Sequence, residues 1–185
     1  HYSQADRFAV AAALEACRQA GWIAAPLGEA PPLGPATGVF VGGSTGGMAE
    51  GEEYFRDLLA GPRPPRVSLL AAHQLNSPSD EVARLLGVSG PVRSFTSACA
   101  SGALAIGAAL DALRRGEVEV AIAGGADSLC QLTYAGFNSL RAVDSHPCRP
   151  FRRERAGLSL GEGSGMLVLE TAARARARGA RPLAE

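Results

Sequence analysis

The stretch TSACASG, residues 96–102, sets Cys99 among small residues, after an apolar strand-like run at 92–98 and before a helix-forming run at 101–115. That setting suits a nucleophile. A group at the head of a helix meets amides without intrahelical partners and the positive end of the macrodipole. Both stabilise a thiolate, and the Cys99 amide is placed to donate to an oxyanion. Strand, nucleophile, helix is an order that acyl transfer uses. A free cysteine is also often an inert small hydrophobe, and the residues alone leave both readings of Cys99 open. Cys17, Cys130 and Cys148 lack such a setting and read as inert packing.

A second segment competes for the role of nucleophile. GGSTG at 42–46 satisfies G-x-S-x-G between a strand-like run and a helix, the elbow of serine hydrolases with Ser44 at its apex. Asp127 or Asp144, then His146, follow in the order such a triad requires. The pattern is short, however, and a chain with 23 glycines meets it in ordinary tight turns. GEGSG at 161–165 precedes a strand instead of opening a helix, so it does not cradle a dinucleotide phosphate. GGSTGG lacks the lysine of a phosphate-binding loop. No nucleotide and no other cofactor is assigned. The four cysteines show no metal-ligand spacing and no disulfide-dense pattern, which assigns no metal and points to a reducing compartment.

The elements that must carry these residues follow from periodicity and punctuation. A helix is predicted over 6–20, stopped by Gly21, then a Pro/Gly-rich connector over 24–35. A buried strand over 37–41 leads through GGSTGG into a helix over 48–59. The prolines of GPRPPR at 61–66 exclude a helix there. A capped helix is predicted over 79–86. The helix over 101–115 is apolar nearly all round, which predicts burial on every side. A strand over 118–123 closes on Gly124 and Gly125, and a loop-rich segment follows. A strand over 166–170 and a helix over 171–178 end the pattern. Alternating strands and helices predict an α/β layered fold with a mainly parallel mixed sheet and helices on both faces. At 185 residues and 46% hydrophobic content the chain is globular, with no apolar run long enough to span a bilayer. The net charge of zero gives no electrostatic reason for a nucleic-acid or membrane partner. All 18 basic residues are arginine, so no lysine chemistry is available within these residues.

SFTSACASGALAIGAALDALRRGEVEVAIAGGAD, then CRPF, then GLSLGEGSGMLVLE, resembles the β-ketoacyl-acyl carrier protein synthases, the condensing enzymes of fatty acid and polyketide synthesis. The resemblance implies a thiolase-like layered fold, of which residues 1–185 form an N-terminal domain without the family's opening strand and C-terminal half. It puts the family's nucleophile on Cys99. The implied reaction is acyl transfer from a carrier-protein thioester to Cys99, then decarboxylative condensation with malonyl-carrier protein. The family adds two histidines and a lysine from its second half, and a second oxyanion donor from a glycine-rich loop. His73 and His146 do not match those histidine motifs, and His1 is terminal. The chain alone is therefore expected to hold the nucleophile and not to condense.

The same resemblance implies that Thr45 stands at the far end of the acyl pocket and that Phe137 lines the channel near Cys99. Arg63 and Arg141, with Arg66 assisting, match basic positions near the pocket entrance that suit an acidic acyl carrier protein. The implied partners are that carrier protein and a second subunit, in a homodimer or heterodimer, in the cytoplasm. Two alternatives stand beside this reading: a serine hydrolase using Ser44, and a non-catalytic subunit that only shapes the acyl chamber. Members of the latter kind usually lack the cysteine.

Overall fold

The computed structural model describes residues 2–23, 33–62 and 64–185 of the chain. Its first helix, α1 (Gln4–Gln19), opens on a capping box: the Asp6 amide donates to Ser3 Oγ and the Ser3 amide to Asp6 Oδ2. Ala5, Ala9, Ala13 and Cys17, spaced four apart, form its buried stripe and let it lie close on the sheet. The predicted connector over 24–35 falls outside the described residues as far as 32. Then come β1 (Thr37–Gly42), α2 (Met48–Leu59), a short α3 (Ser68–Ala71) and α4 (Ser77–Leu86). Pro78 sits in the first turn of α4, and Gly87 ends it in the left-handed conformation. The remaining elements are β2 (Val92–Phe95), α5 (Ser101–Arg114), β3 (Val120–Asp127), α6 (Gln131–Ser139), β4 (Gly163–Glu170) and α7 (Ala172–Ala177).

The four strands form one sheet in the order β2-β1-β3-β4. β1 pairs in parallel with β2 and β3, whereas β4 runs antiparallel to β3. The mainly parallel mixed sheet is as expected, and so are helices on both faces. Strand alternation sorts the core into two layers. Val39, Val41, Ile122 and Met166 face α1 and α4, where they meet Ala9, Ala13, Val82 and Leu86. Phe40, Ala121 and Ala123 face α5 and meet Ala105, Ala109 and Leu113. Each fully buried Val, Ile or Leu contributes roughly 1.5–3 kcal/mol relative to exposure. The alanines contribute little area but set a short distance between α5 and the sheet. Among the described residues no helix is long and apolar enough to cross a membrane.

Three expectations are corrected. β3 does not close at Gly124 but continues through both glycines to Asp127, because β4 pairs with it as far as Gly163. The segment read as loop-rich contains α6, a nine-residue helix whose Gly136 and Thr133 weaken the helical signal. Nor is α5 buried all round. Ala105, Ala109 and Ala112 face the sheet, while Leu104 and Leu110 on the other side are 48% and 40% exposed. Apolar composition shows that a face wants cover, but the cover itself must come from elsewhere in the fold.

The sheet-facing side of α5 begins where β1 ends. A Cβ on Gly42 would drive into the carbonyl of Ser101, the first residue of α5. Gly107, by contrast, has open space around it in the same helix. We expect Gly42→Ala to destabilise the protein by ~1–3 kcal/mol through overpacking, and Gly107→Ala to stabilise it by up to about 1 kcal/mol through helix propensity. Equilibrium denaturation of the two variants would check the opposite signs.

Candidate active site

β1, β2 and β3 are parallel, so their C-terminal ends gather at one edge of the sheet, the usual place for a ligand in open α/β folds. β4, being antiparallel, brings its first residues to the same edge. A cavity of about 730 Å³ opens there, lined by Thr45, Cys99, Asp127, Phe137 and Leu160 among others. Its volume lies within the range of small-molecule sites. Gly161, Gly163 and Gly165 form part of its wall.

Cys99 is exposed and sits two residues before the first residue of α5. The turn that presents it is strained. Ala98 has φ +47°, a left-handed conformation that costs a non-glycine residue about 1–3 kcal/mol. Hydrogen bonds hold it there. The Ala100 amide donates to Ser97 O at 3.0 Å and the Ser101 amide to Ala98 O at 3.1 Å. Ser101 Oγ accepts from the Ser97 amide at 2.8 Å and donates to Ala98 O at 2.7 Å. Two of the amides at the helix start thus serve the turn itself.

The GGSTGG loop closes the site from the β1 side. Asp127 Oδ1, at the end of β3, accepts the Ser44 and Thr45 amides, both at 2.8 Å, and Thr45 Oγ1 at 2.9 Å. Ser128 Oγ donates to Gly46 O at 3.1 Å, and Thr96 Oγ1 to Gly43 O at 3.2 Å. Thr45 therefore stands on the cavity wall with its side chain anchored. Phe137, on α6, is half-buried and lines the same cavity, so Cys99, Thr45 and Phe137 share one cavity wall.

The basic residues are placed differently. Arg63 lies outside the described residues. Arg66 is exposed and pairs with Glu53 and Asp57 of α2, and its guanidinium holds the Asp57 carboxyl below the usual range. Arg141 is exposed just beyond α6 with φ +55°. Neither Arg66 nor Arg141 lines the cavity. The rival triad is not assembled by hydrogen bonds. Ser44 Oγ donates to Ala98 O at 2.9 Å and lies 3.5 Å from Ser101 Oγ. Asp144 accepts the His146 amide at 3.0 Å, which holds its carboxyl below the usual range, and lies 3.5 Å from His146 Nδ1, but neither residue is bonded to Ser44.

The Beta-ketoacyl synthase N-terminal domain family matches residues 2–175. The chain belongs to that family. It is 40% identical over 186 residues to Nodulation protein E of Rhizobium leguminosarum bv. trifolii, covering 97% of this chain and 45% of that protein. It is 36% identical over 157 residues to a 3-oxoacyl-[acyl-carrier-protein] synthase 2 of Staphylococcus aureus, covering 80% of this chain and 38% of that one. Among solved structures, the ishigamide ketosynthase/chain length factor superposes with a TM-score of 0.87 at 34% identity, over 97% of this chain and 44% of that one. The chain thus spans less than half the length of these relatives, and its fold is the N-terminal half of their thiolase-like layered fold.

Sequence reasoning missed Ser101, Ala98 and the tie from Asp127 to the GGSTGG loop. A serine at a helix start is a local signal for a side-chain-to-backbone hydrogen bond, and it was legible. The positive φ of Ala98 carries no such signal. Cys148 is also corrected: it is exposed, whereas Cys17 and Cys130 are buried as expected. Burial pushes the Cys17 thiol up to about 11. We expect iodoacetamide to label Cys99 and Cys148 in the native protein, and Cys17 and Cys130 only after unfolding, read by peptide mass spectrometry. Because the raised Cys17 pKa keeps the native state protonated while the unfolded thiol ionises, stability should fall between pH 9.0 and about 11. Cys17→Ala should flatten that part of the stability profile.

Proposed function

We propose that this chain supplies the acyl-binding nucleophile of a decarboxylative condensing enzyme acting on carrier-bound thioesters. The observation that carries the reading is Cys99, exposed at the start of α5 and on the wall of the cavity, in a member of the β-ketoacyl synthase family. The Cys99 thiolate attacks the acyl thioester carbonyl and expels the carrier thiolate. A malonyl thioester then loses carbon dioxide, and the electron pair left on its α-carbon attacks the acyl-enzyme carbonyl. The Cys99 thiolate departs and a β-ketoacyl thioester remains. Sulfur suits both steps, being nucleophile in the first and leaving group in the second. The chain contains no lysine, so the lysine of decarboxylation that the family resemblance implies is not among these 185 residues.

In this reading Thr45 and Phe137 shape the acyl chamber, and Arg63, Arg66 and Arg141 meet the acidic carrier. One solved neighbour, 26% identical with a TM-score of 0.83, is a type II PKS acyl-carrier protein in complex with its ketosynthase bound to the hexaketide. That supports a carrier protein as partner. Ketosynthase/chain length factor pairs among the neighbours support a second subunit, of the same or another kind. Cys99 weighs against a purely non-catalytic subunit. The carbonyl partner of Ser44 weighs against a hydrolase, whose nucleophile needs a base. A reducing compartment, the cytoplasm, suits the four free thiols.

Incubating the protein, at the length its gene encodes, with an acyl-carrier thioester should add the acyl mass to the Cys99 peptide. Cys99→Ala should lower that transfer by at least about 10³-fold, whereas Cys148→Ser should leave it unchanged. Acyl mass on Ser44 would instead favour the hydrolase. Arg141→Glu should raise KM for the carrier thioester several-fold with little effect on kcat, because a charge at the rim acts on encounter more than on chemistry.

A further inference from the structure

Ser44 has no task in the reaction just described. It is not placed as a nucleophile, yet its hydroxyl is directed at the turn that presents one. Two hydroxyls converge on the Ala98 carbonyl. Ser101 Oγ, at 2.7 Å, comes from the helix that follows the turn. Ser44 Oγ, at 2.9 Å, comes from a loop 54 residues away in sequence. The single Ser44 proton goes to Ala98 O, since Ser101 Oγ lies farther off at 3.5 Å. The loop is in turn held at its own backbone: the Ser44 amide donates to Asp127 Oδ1 at 2.8 Å, and that oxygen also takes both donors of Thr45. A second strut, Thr96 Oγ1 to Gly43 O, joins the two loops on the other side of the turn.

A left-handed alanine persists only where its surroundings hold it. The contact from Ser101 ties the turn to the start of α5. The contact from Ser44 ties it independently to the end of β3, where Asp127 anchors the loop. We propose that Ser44 is a positioning residue for Cys99: its hydroxyl pins the Ala98 carbonyl and so keeps the strained turn that sets the Cys99 sulfur at the cavity wall. Ser44 lines the same cavity as Cys99, but its hydroxyl acts on the sulfur through the Ala98 carbonyl. The role rests on the reading of Cys99 as the acyl acceptor, and it takes up the one feature of the GGSTG motif that the hydrolase reading noticed.

The test uses the protein at its encoded length in a Cys148→Ser background, so that Cys99 is the exposed thiol among the described residues. The second-order rate of Cys99 alkylation by iodoacetamide is measured for S44A, S44T, A98G and the double variant S44A/A98G. Iodoacetamide is too small to depend on the rest of the chamber, so the rate reports the presentation of the sulfur. S44A is expected to react about tenfold more slowly, equivalent to ~1.4 kcal/mol, and S44T, which keeps the hydroxyl, within about threefold of the parent. Glycine enters the left-handed region without penalty, so S44A/A98G should match A98G alone.

The proposal is overturned if folded S44A reacts at the parental rate, if S44T is no better than S44A, or if S44A costs the same tenfold in the A98G background. Should S44A fail to fold by thermal melting, recovery of folding and rate in S44A/A98G supports the role, and failure to recover overturns it. Acylation from an acyl-carrier thioester, run on the same variants, separates the two levels. Absence of acyl transfer with the alkylation pattern intact removes the condensing reading and leaves the positioning role. Acyl transfer with alkylation indifferent to Ser44 removes the positioning role alone.

Discussion

The site depends on one steric constraint, the contact of bare backbone with bare backbone where β1 and β3 meet the start of α5. Gly42, Gly102 and Gly125 meet there. A Cβ on Gly125 would lie 3.1 Å from Gly42 O and 3.2 Å from Gly102 Cα, and one on Gly42 would collide with the Ser101 carbonyl. Without side chains between them, three segments far apart in sequence come within hydrogen-bonding reach: the GGSTGG loop, the turn carrying Cys99, and Asp127 at the end of β3. Parallel pairing then puts all three at the same edge of the sheet.

Polar contacts finish what the glycines begin. Asp127 gathers three donors from one loop onto a single oxygen. Ser44 and Ser101 hold the Ala98 carbonyl from opposite sides in sequence. Hydrogen bonds of this kind contribute about 1 kcal/mol each on balance, but leaving a buried donor unpaired costs more. Their main effect is therefore to fix a single arrangement. A nucleophile benefits from that, since acyl transfer is sensitive to small displacements of the attacking atom.

Much of this was legible along the chain. The α/β alternation, the boundaries of α2, the start of α5 and the nucleophile candidate all come from local signals of periodicity, capping and punctuation. Thr45 and Phe137, singled out by the motif resemblance, line the same cavity as Cys99. What failed did so for identifiable reasons. The glycines at 124 and 125 look like a strand end but lie inside β3, because β4 supplies pairing partners that local sequence cannot display. α6 is short and contains weak helix formers. Cys148 read as buried because cysteines usually are, yet it stands exposed outside any helix or strand.

The sequence by itself singled out Cys99 as the candidate nucleophile and the chemistry a thiol there would suit, because a cysteine before a helix of small residues is a contiguous pattern. It also determined the fold class, since hydrophobic periods of two and near four are read locally. Only the tertiary structure decided what surrounds that sulfur: the left-handed Ala98, the reach of Ser44 across 54 residues, the anchoring of Thr45 on Asp127, and the bare outer face of α5. Those depend on which segments the sheet brings together and how closely the glycines let them approach, and neither is a property of any one stretch of chain.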